Sequence, residues 1–199
     1  MVVGHTIRKA SPADGIAIAK LLAHAFEHHF SRLGDQTKVA KSFENAIDTG
    51  RFVVSELDGE VVGFIGIGDC NGRAVSINKK DFRRNFGFIK GSIAFRVMYS
   101  IASKPLSTPP NVGMIDFVGV SEKARGQGIA KAMLQEVVEQ NSQYSEFILY
   151  TEDNNAASLA TYTKFGFVEY KRVPIKWAKA AGFKEEVWMR YSKAKGGNA

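Results

Sequence analysis

Apolar residues recur along this chain with spacings that alternate between those of strands and those of helices. Alternating or continuous apolar runs predict strands at residues 6–9, 51–56, 61–67, 114–120, 147–151, 167–173 and 186–191. Spacings of three and four residues predict helices at 12–30, 36–47, 81–101, 128–140 and 155–165. The order β-α-α-β-β-(helix)-β-α-β-α-β-β predicts an α/β fold, with a mixed sheet of about seven strands and helices on both faces.

Two local signals mark the ends of these elements. Ser11 and Pro12 suit the N-cap and the first position of the first helix. Asp58-Gly59 lies between the second and third apolar runs, and this dipeptide is a strong β-hairpin signal because both residues tolerate a left-handed conformation.

The segment between the third and fourth strands, residues 71–112, is called the insert below. Its predicted helix places a set of apolar residues roughly on one face: Phe82, Phe86, Ile89, Ile93, Val97 and Ile101. We expect this face to pack on the domain and the cations of the helix to be solvated. Pro105, Pro109 and Pro110 then predict an extended linker.

Composition places the chain among ordinary globular proteins. It has 199 residues, of which 45% are hydrophobic and 24% charged, enough for one domain over 1–192 with a loose tail at 193–199. The lone cysteine, Cys70, excludes an internal disulfide and a multi-cysteine metal site. With no secretory or membrane-spanning segment apparent, we expect a cytoplasmic protein.

The net charge of +7 resides in the insert. One acidic residue, Asp81, accompanies the basic residues of this segment, which are Arg73, Lys79, Lys80, Arg83, Arg84, Lys90, Arg96 and Lys104. The rest of the chain is balanced in formal charge. Cations interleaved with aromatic residues also suit a nucleic-acid or anionic membrane-surface binder, which is the main alternative to an enzyme. Within an enzyme, the same charge predicts an acidic acceptor or an anionic surface beside the acceptor side.

A glycine-rich loop, Arg125-Gly126-Gln127-Gly128-Ile129-Ala130, joins the strand at 114–120 to the next helix. Glycines let the backbone approach a ligand, and the unpaired amides of a helix N-terminus attract anions, so this loop predicts a phosphate-binding nest. Lys131 stands where a dinucleotide-binding loop would have its third glycine. Ile129 follows Gly128 where a nucleoside-triphosphate loop would have lysine. An ordinary strand-to-helix turn is the other interpretation of the loop.

Downstream, Asn155 and Tyr162 are two helical turns apart and project from one helix face. Singly, they suit an N-cap and a half-buried packing tyrosine. Together with the loop, the chain resembles the GNAT superfamily of acyl-coenzyme A-dependent N-acyltransferases. The residues that carry the resemblance are Arg125, Gly128 and Ala130, followed by Asn155, Tyr162, Gly166 and Phe167. The long insert is unusual for this superfamily.

The resemblance implies that the chain binds acetyl-CoA and transfers its acetyl group to a primary amine by direct attack in a ternary complex. It assigns the pyrophosphate to the amides of Arg125, Gly126, Gln127, Gly128, Ile129, Ala130 and Lys131. It assigns the pantetheine arm to the backbone of Phe117, Val118, Gly119 and Val120, with Asn155 nearby. Tyr162 would be the general acid for the departing thiolate. Gly119 is either a β-bulge that splays the sheet, which the resemblance favours, or a packing glycine.

The general base is assigned less directly. Asp116 alternates with Val118 and Val120, so a regular strand would place all three on one face, where Asp116 could accept the proton of the amine. The alternative is that Asp116 pairs with a neighbouring basic group. Glu27 and Glu152 are weaker candidates.

Other functions and ligands are also open. His24, His28 and His29 lie on the first long helix without a third ligand in metal-binding spacing, so we predict no metal site. A domain that binds acyl-CoA as a sensor, without turnover, is a further alternative. The acceptor could be a small molecule or a protein amino group, and a homodimer is an open possibility.

Overall fold

The computed structural model describes residues 4–27, 35–176 and 178–193, the side chains at 179 and 180 excepted. These residues form a seven-stranded sheet in the order β1-β2-β3-β4-β5-β7-β6. The strands are β1 His5–Lys9, β2 Phe52–Leu57, β3 Glu60–Gly68, β4 Val112–Val120, β5 Glu146–Glu152, β6 Val168–Pro174 and β7 Glu185–Ser192. Strands β4 and β5 pair in parallel, and the other neighbours pair antiparallel. The predicted α/β fold with its mixed sheet is confirmed.

Helices connect these strands in the predicted order. They are α1 Gly15–Ala25, α2 Gln36–Phe43, α3 Lys79–Phe86, α4 Phe88–Met98, α5 Ile129–Gln140, α6 Ala156–Phe165 and the short α7 Ala178–Ala181. Helix α2 ends four residues before its predicted end, and α7 was not predicted. The predicted end of the first helix at Phe30 and the tail over 194–199 lie outside the described residues.

Two hydrophobic cores lie on the two faces of the sheet. The first core joins α1, α2 and the insert to β2, β3 and β4, and its fully buried aromatic residues include Phe43, Phe64 and Phe82. The second core joins α5 and α6 to the strands and contains Met133 and Phe147. These cores hold β4, which crosses the middle of the sheet, from both sides.

Caps and turns fix the ends of these elements. Asp58 and Gly59 both have positive φ, of 50° and 78°, as the hairpin between β2 and β3 requires. Asp14, just before α1, accepts the backbone N–H of Ser11 at 2.6 Å and two hydrogen bonds from the Arg8 guanidinium. These contacts join β1 to the start of α1.

The insert departs from its prediction in two ways. The single predicted helix is two helices, because Gly87 adopts φ 79° between α3 and α4 and turns the chain. A π-helical turn, Tyr99–Ser103, follows α4. The expectation that one apolar face packs on the domain is confirmed for Phe82 and Phe86 of α3, which pack in or against the first core. It is wrong for α4, which buries Gly91, Ala94 and Met98 and exposes its larger aliphatic residues.

Candidate active site

Strands β4 and β5 pair over a short distance and then separate. Their parallel pairing covers Val112 to Met114 against Glu146 to Ile148, although both strands continue for several residues. Beyond Met114, β4 stays paired with β3 on its other edge, up to Val120 opposite Gly63. The β5-facing edge of the last part of β4 therefore carries backbone groups without a strand partner. These groups are available to an extended ligand.

The glycine loop lies directly after this part of β4. Gly126 and Gly128 have φ of 76° and 78°, and a side chain at either position would meet no atom within 4 Å. In the range 35–176, the backbone N–H groups from Gly126 to Lys131 donate no hydrogen bond to protein. Gly128 caps α5, so the first turn of this helix adds its positive dipole end. The loop thus presents open, unpaired amides, which suit phosphate oxygens.

The side chains of the loop support its conformation. The Arg125 Nε donates to the Val120 carbonyl at 3.2 Å, which joins the loop to the end of β4. The Gln127 Nε2 donates to the Lys123 carbonyl at 3.2 Å, and the Gln127 Oε1 lies 3.1 Å from the His5 ring on β1. Within the described residues, Lys131 makes no ion pair, so its charge is free to meet an anion.

A β-bulge interrupts β4 at Asp116. Gly66 of β3 pairs with Phe117 and Ile67 pairs with Ile115, so Asp116 is the extra residue. Gly119 is regularly paired with Phe64, and a side chain there would come within 2.5 Å of the Phe64 ring. The prediction of a bulge at Gly119 is therefore wrong, and Gly119 is a packing glycine.

The bulge also overturns the predicted face of Asp116. Val118 and Val120 pack against the second core, whereas Asp116 accepts the backbone N–H of Ala74, a member of the first core. The extra residue shifts the alternation of side chains, so Asp116 does not share a face with Val118 and Val120.

Asp116 forms a buried ion pair with Arg73 of the insert. The Arg73 Nε donates to the Asp116 Oδ2 at 2.9 Å, and the Asp116 side chain is inaccessible to solvent. Burial raises the pKa of Asp116, and the charge of Arg73 only partly offsets it. The Asp116 Oδ1 has no hydrogen-bond partner among the described residues. Asp116 thus pairs with a neighbouring basic group, as the alternative interpretation expected.

Helix α6 presents the other predicted residues. Asn155 caps this helix by accepting the Ser158 N–H at 3.1 Å. Two turns on, Tyr162 is buried in the second core against Phe167, at a ring distance of 5.9 Å. Burial raises the pKa of Tyr162 to about 12, so its phenol is protonated at neutral pH. The core of Tyr162 is the one against which Val118 and Val120 pack, so α6 and the open part of β4 share one hydrophobic cluster.

Strands β5 and β7 carry an aromatic and acidic group of which the sequence analysis named only Glu152. Tyr150 stacks on Trp188 at 5.0 Å, and the Trp188 indole donates to Glu186 at 3.0 Å. Glu152 lies directly opposite Glu186 in the strand pairing. Burial raises the pKa of Tyr150 to about 12, with smaller electrostatic contributions that include those of Glu186, Arg73 and Asp116. Side chains alternate between the two faces of a strand, so Tyr150 and Trp188 lie on the face opposite to the buried Leu149 and Val187. This alternation was the sequence signal that could have revealed the group.

The predicted histidine cluster is only partly described. His24 lies 3.9 Å from Glu27, whereas His28 and His29 lie outside the described residues. Across residues 4–27, 35–176 and 178–193, no group of three or more His, Cys, Asp or Glu side chains could hold a metal ion. Helices in the same ranges include none long and apolar enough to cross a membrane.

The sheet opens between two parallel strands, next to a glycine loop that caps a helix, and this cleft is the candidate active site. The chain belongs to the acetyltransferase (GNAT) family, whose sequence pattern matches residues 16–167. The predicted membership of the GNAT superfamily is thereby confirmed. No curated protein sequence matches the chain significantly.

Solved structures with the same fold are acetyltransferases. An N-acetyltransferase from Staphylococcus aureus Mu50 is 18% identical with a TM-score of 0.64, over 94% of this chain and 100% of the other. A putative acetyltransferase from Salmonella typhimurium, solved with its cofactor acetyl-CoA, is 18% identical with a TM-score of 0.62, over 96% and 95%. A ribosomal-protein-alanine N-acetyltransferase from Brucella melitensis is 22% identical with a TM-score of 0.62, over 94% and 99%. At these low sequence identities, the TM-scores show that the proteins share a fold.

Proposed function

We propose that the protein transfers the acetyl group of acetyl-CoA to a primary amine by direct attack in a ternary complex. The observation that carries the proposal is the separation of β4 and β5 next to the free amides of the glycine loop. A long ligand with a phosphate end and an amide-containing arm matches both features, since the loop suits the phosphates and the open strand edge suits the amides.

The residues of the cleft fit acetyl-CoA in chemical type. The amides from Gly126 to Lys131 would hold the pyrophosphate, whereas the Arg125 N–H already donates to the Glu122 carbonyl at 3.2 Å. The open edge of β4 over Phe117, Val118, Gly119 and Val120 would pair with the pantetheine arm. Asn155 uses its Oδ1 to cap α6, which leaves its amide nitrogen to contact this arm. Acetyl-CoA supplies a thioester whose carbonyl an amine attacks and whose sulfur departs as a thiolate.

Tyr162 would be the hydrogen-bond donor to the departing sulfur. Its pKa of about 12 keeps the phenol protonated at the pH of the reaction. A free thiol has a pKa of about 8.5, below that of Tyr162, so full proton transfer to a free thiolate would be uphill. The phenol would instead stabilise the negative charge that develops on the sulfur by a hydrogen bond as the C–S bond breaks, and the proton that the amine loses would balance the thiol. The burial of Tyr162 excludes water as a competing donor.

We propose that the proton of the amine is accepted by acidic side chains on β5 and β7, beyond the point where β4 and β5 separate. Asp116 does not take this role. Asp116 is inaccessible to solvent and occupied by Arg73. Glu186 and Glu152 are partly exposed and directly opposite each other on β7 and β5. Two opposed carboxylates attract a protonated amine to this part of the cleft. A water between this pair and the amine would pass the proton of the amine to the carboxylate of Glu186.

The test is the release of coenzyme A thiol from acetyl-CoA, measured against a panel of primary amines, amino acids and peptides. Amine-dependent thiol release, with a stoichiometric N-acetylated product in the mass spectrum, is the expected result. Saturable binding of acetyl-CoA without thiol release in any amine would contradict enzymatic turnover and favour the sensor. A Glu186→Gln variant should raise the KM for the amine and lower kcat, with an Asp58→Asn variant in the hairpin turn as control.

A further inference from the structure

The exposed face of α4 is the least expected surface of the molecule. Its aliphatic residues follow each other at helical spacing and point to solvent: Ile89 is 75% exposed, Ile93 63% and Val97 54%, with Phe88 beside them at 70%. These four residues are called the α4 ridge below. Solvent exposure of four large apolar side chains on one helix is unfavourable, and such patches usually mark contact surfaces.

The packing of α4 forces this ridge outwards. Gly91 lies so close to α3 that a side chain there would come within 2.4 Å of the Phe82 carbonyl. Gly91 and Ala94 with Met98 form the opposite, buried face. A rotation of α4 that buried Ile89 and Ile93 would bring larger side chains into the contact that only glycine fits. The ridge is therefore a fixed feature of the fold.

The insert that carries the ridge, described in full over residues 71–112, has several exposed cations and no exposed acidic residue. Its single acidic residue, Asp81, is buried and accepts hydrogen bonds from Asn78 and Asn45. Asp81 also forms an ion pair with Arg84 at 3.5 Å. Arg73 is buried in its pair with Asp116. The exposed cations that remain in the insert are Lys79, Lys80, Arg84, Lys90, Arg96 and Lys104.

A cleft at the side of the ridge combines both chemistries. Lys79 and Arg96, with Ser92, Ile93 and Phe95, line an open cavity of about 350 Å³. The two cations suit a phosphate group, and Ile93 of the ridge borders the same cavity. The Ser92 hydroxyl donates to the Phe88 carbonyl and accepts from the Arg83 Nε, so it supports the wall of the cavity. Phosphate and hydrocarbon are the two parts that an anionic phospholipid presents together.

We propose that the α4 ridge docks on the surface of an anionic lipid bilayer, with the ridge in the acyl boundary and phosphate headgroups at Lys79 and Arg96. Aliphatic residues between cations are the pattern of helices that lie in a membrane interface. Stacking of nucleic-acid bases needs free ring faces, but Phe82 is buried and Phe86 and Phe95 pack against the first core. The exposed rings of Phe88 and Tyr99 lie against the Arg83 guanidinium at 4.0 Å and the Phe95 ring at 5.5 Å, respectively. The exposed face of α4 is therefore mainly aliphatic, which suits acyl chains better than bases. A second copy of this face would bring like charges together. The proposal is independent of acetyl transfer.

Co-sedimentation of the full chain with vesicles tests the proposal. We expect binding to phosphatidylcholine vesicles that contain phosphatidylglycerol, no binding to phosphatidylcholine alone, and weakening of the binding by salt. Replacing the ridge aliphatics together, as Ile89→Ser, Ile93→Ser and Val97→Ser, should weaken binding at least about tenfold. Replacing the cations, as Lys79→Gln with Arg96→Gln, should weaken it about twentyfold.

Matched controls come from the opposite end of the sheet, on β6. Val168 is 64% exposed and Lys171 is exposed there, so Val168→Ser and Lys171→Gln should bind vesicles like the unmodified protein. Circular dichroism melts of each variant verify that the fold is retained. Equal binding to neutral and anionic vesicles would overturn the proposal, as would unchanged binding by both α4 variants. Two further results, each in the absence of vesicle binding, would also overturn it. One is a dimer that the ridge variant abolishes, and the other is ridge-dependent binding to single-stranded DNA.

Discussion

Arg73 and Asp116 join the insert to the interrupted strand at the centre of the sheet. While its Nε contacts Asp116, the Arg73 guanidinium also donates to the backbone carbonyls of Lys104 and Ile101. One side chain therefore holds both ends of the insert against the β4 bulge. The insert is thereby fixed to β4 at a residue that lies two positions beyond the end of the pairing of β4 with β5.

Because Asp116 is held in this ion pair, its replacement should lower the stability of the protein strongly without removing the general base of the reaction. Asp116→Asn removes the negative partner of a buried guanidinium, so the free energy of unfolding should fall by about 3 kcal/mol in chemical denaturation. The pH dependence of kcat in the folded variant should keep the limbs of the unmodified enzyme. The combined change Arg73→Met with Asp116→Leu, which leaves no buried charge, should regain most of the stability. Disappearance of the acidic limb in Asp116→Asn would identify Asp116 as the base.

A substitution in the glycine loop should lower the affinity for acetyl-CoA, whereas a substitution that strains the backbone equally elsewhere should not. Gly128→Val places a β-branched side chain at φ 78°, so the loop should change conformation and acetyl-CoA affinity should fall at least about tenfold in calorimetry. Gly59→Val is the matched control, since Gly59 also has φ 78° and open space around it, in the β2–β3 hairpin. The control should lose stability but bind acetyl-CoA normally. Equal losses of affinity in both variants would show that the loop has no specific part in binding.

The contacts of Asp14 predict an acid-dependent stability. The Arg8 guanidinium, opposed by partial burial, holds the pKa of the Asp14 carboxyl well below its usual range. An unfolded aspartate has a pKa of about 3.9, so this stabilisation is complete above about pH 4 and is lost as the pH falls further. Asp14→Asn should destabilise the protein by about 2 kcal/mol at pH 7, and the difference should narrow below about pH 4. Asp58→Asn, in an exposed turn, should change stability by less than about 0.5 kcal/mol.

The close contact of α3 with α4 predicts a stability effect at a single glycine. Gly91→Ala would place a methyl group 2.7 Å from the Arg83 Cα and closer still to the Phe82 carbonyl, so the two helices would have to separate. We expect a loss of about 2 kcal/mol and faster amide exchange in α3 and α4. Ile89→Ala, on the exposed side of the same helix, should stay within about 0.5 kcal/mol of the unmodified protein. Slow exchange in Gly91→Ala would show that the helices are not held at this contact.

Local signals predicted most of the fold. Asp58-Gly59 and the Gly126–Gly128 loop adopt the predicted backbone because glycine, and to a lesser degree aspartate, tolerates the left-handed conformation that these turns require. The α5 and α6 helices follow from their apolar spacing. The glycine loop lies between a strand and the following helix, as the sequence predicted. Asn155 and Tyr162 lie at the start of α6 and two turns further along it, also as predicted.

The errors arise where the structure depends on distant residues. The bulge lies at Asp116 because β3 pairs around it, and nothing in the local pattern of β4 distinguishes Asp116 from Gly119. Arg73 finds its partner 43 residues away, which spacing along the chain cannot reveal. The contact of Gly91 with α3 decides which face of α4 is buried. Helical periodicity alone predicts that the more apolar face is buried, and this contact turns that face to solvent.

The most direct test of the acetyl-transfer account is Tyr162→Phe, measured as kcat together with the affinity for acetyl-CoA. Loss of this hydrogen-bond donor should lower kcat by about a hundredfold or more and leave acetyl-CoA affinity within about twofold, because the ring that packs on Phe167 is kept. Tyr170→Phe on β6 is the matched control and should retain full kcat, since its ring lies over Arg190 and not in the second core. Unchanged kcat in Tyr162→Phe would contradict the account.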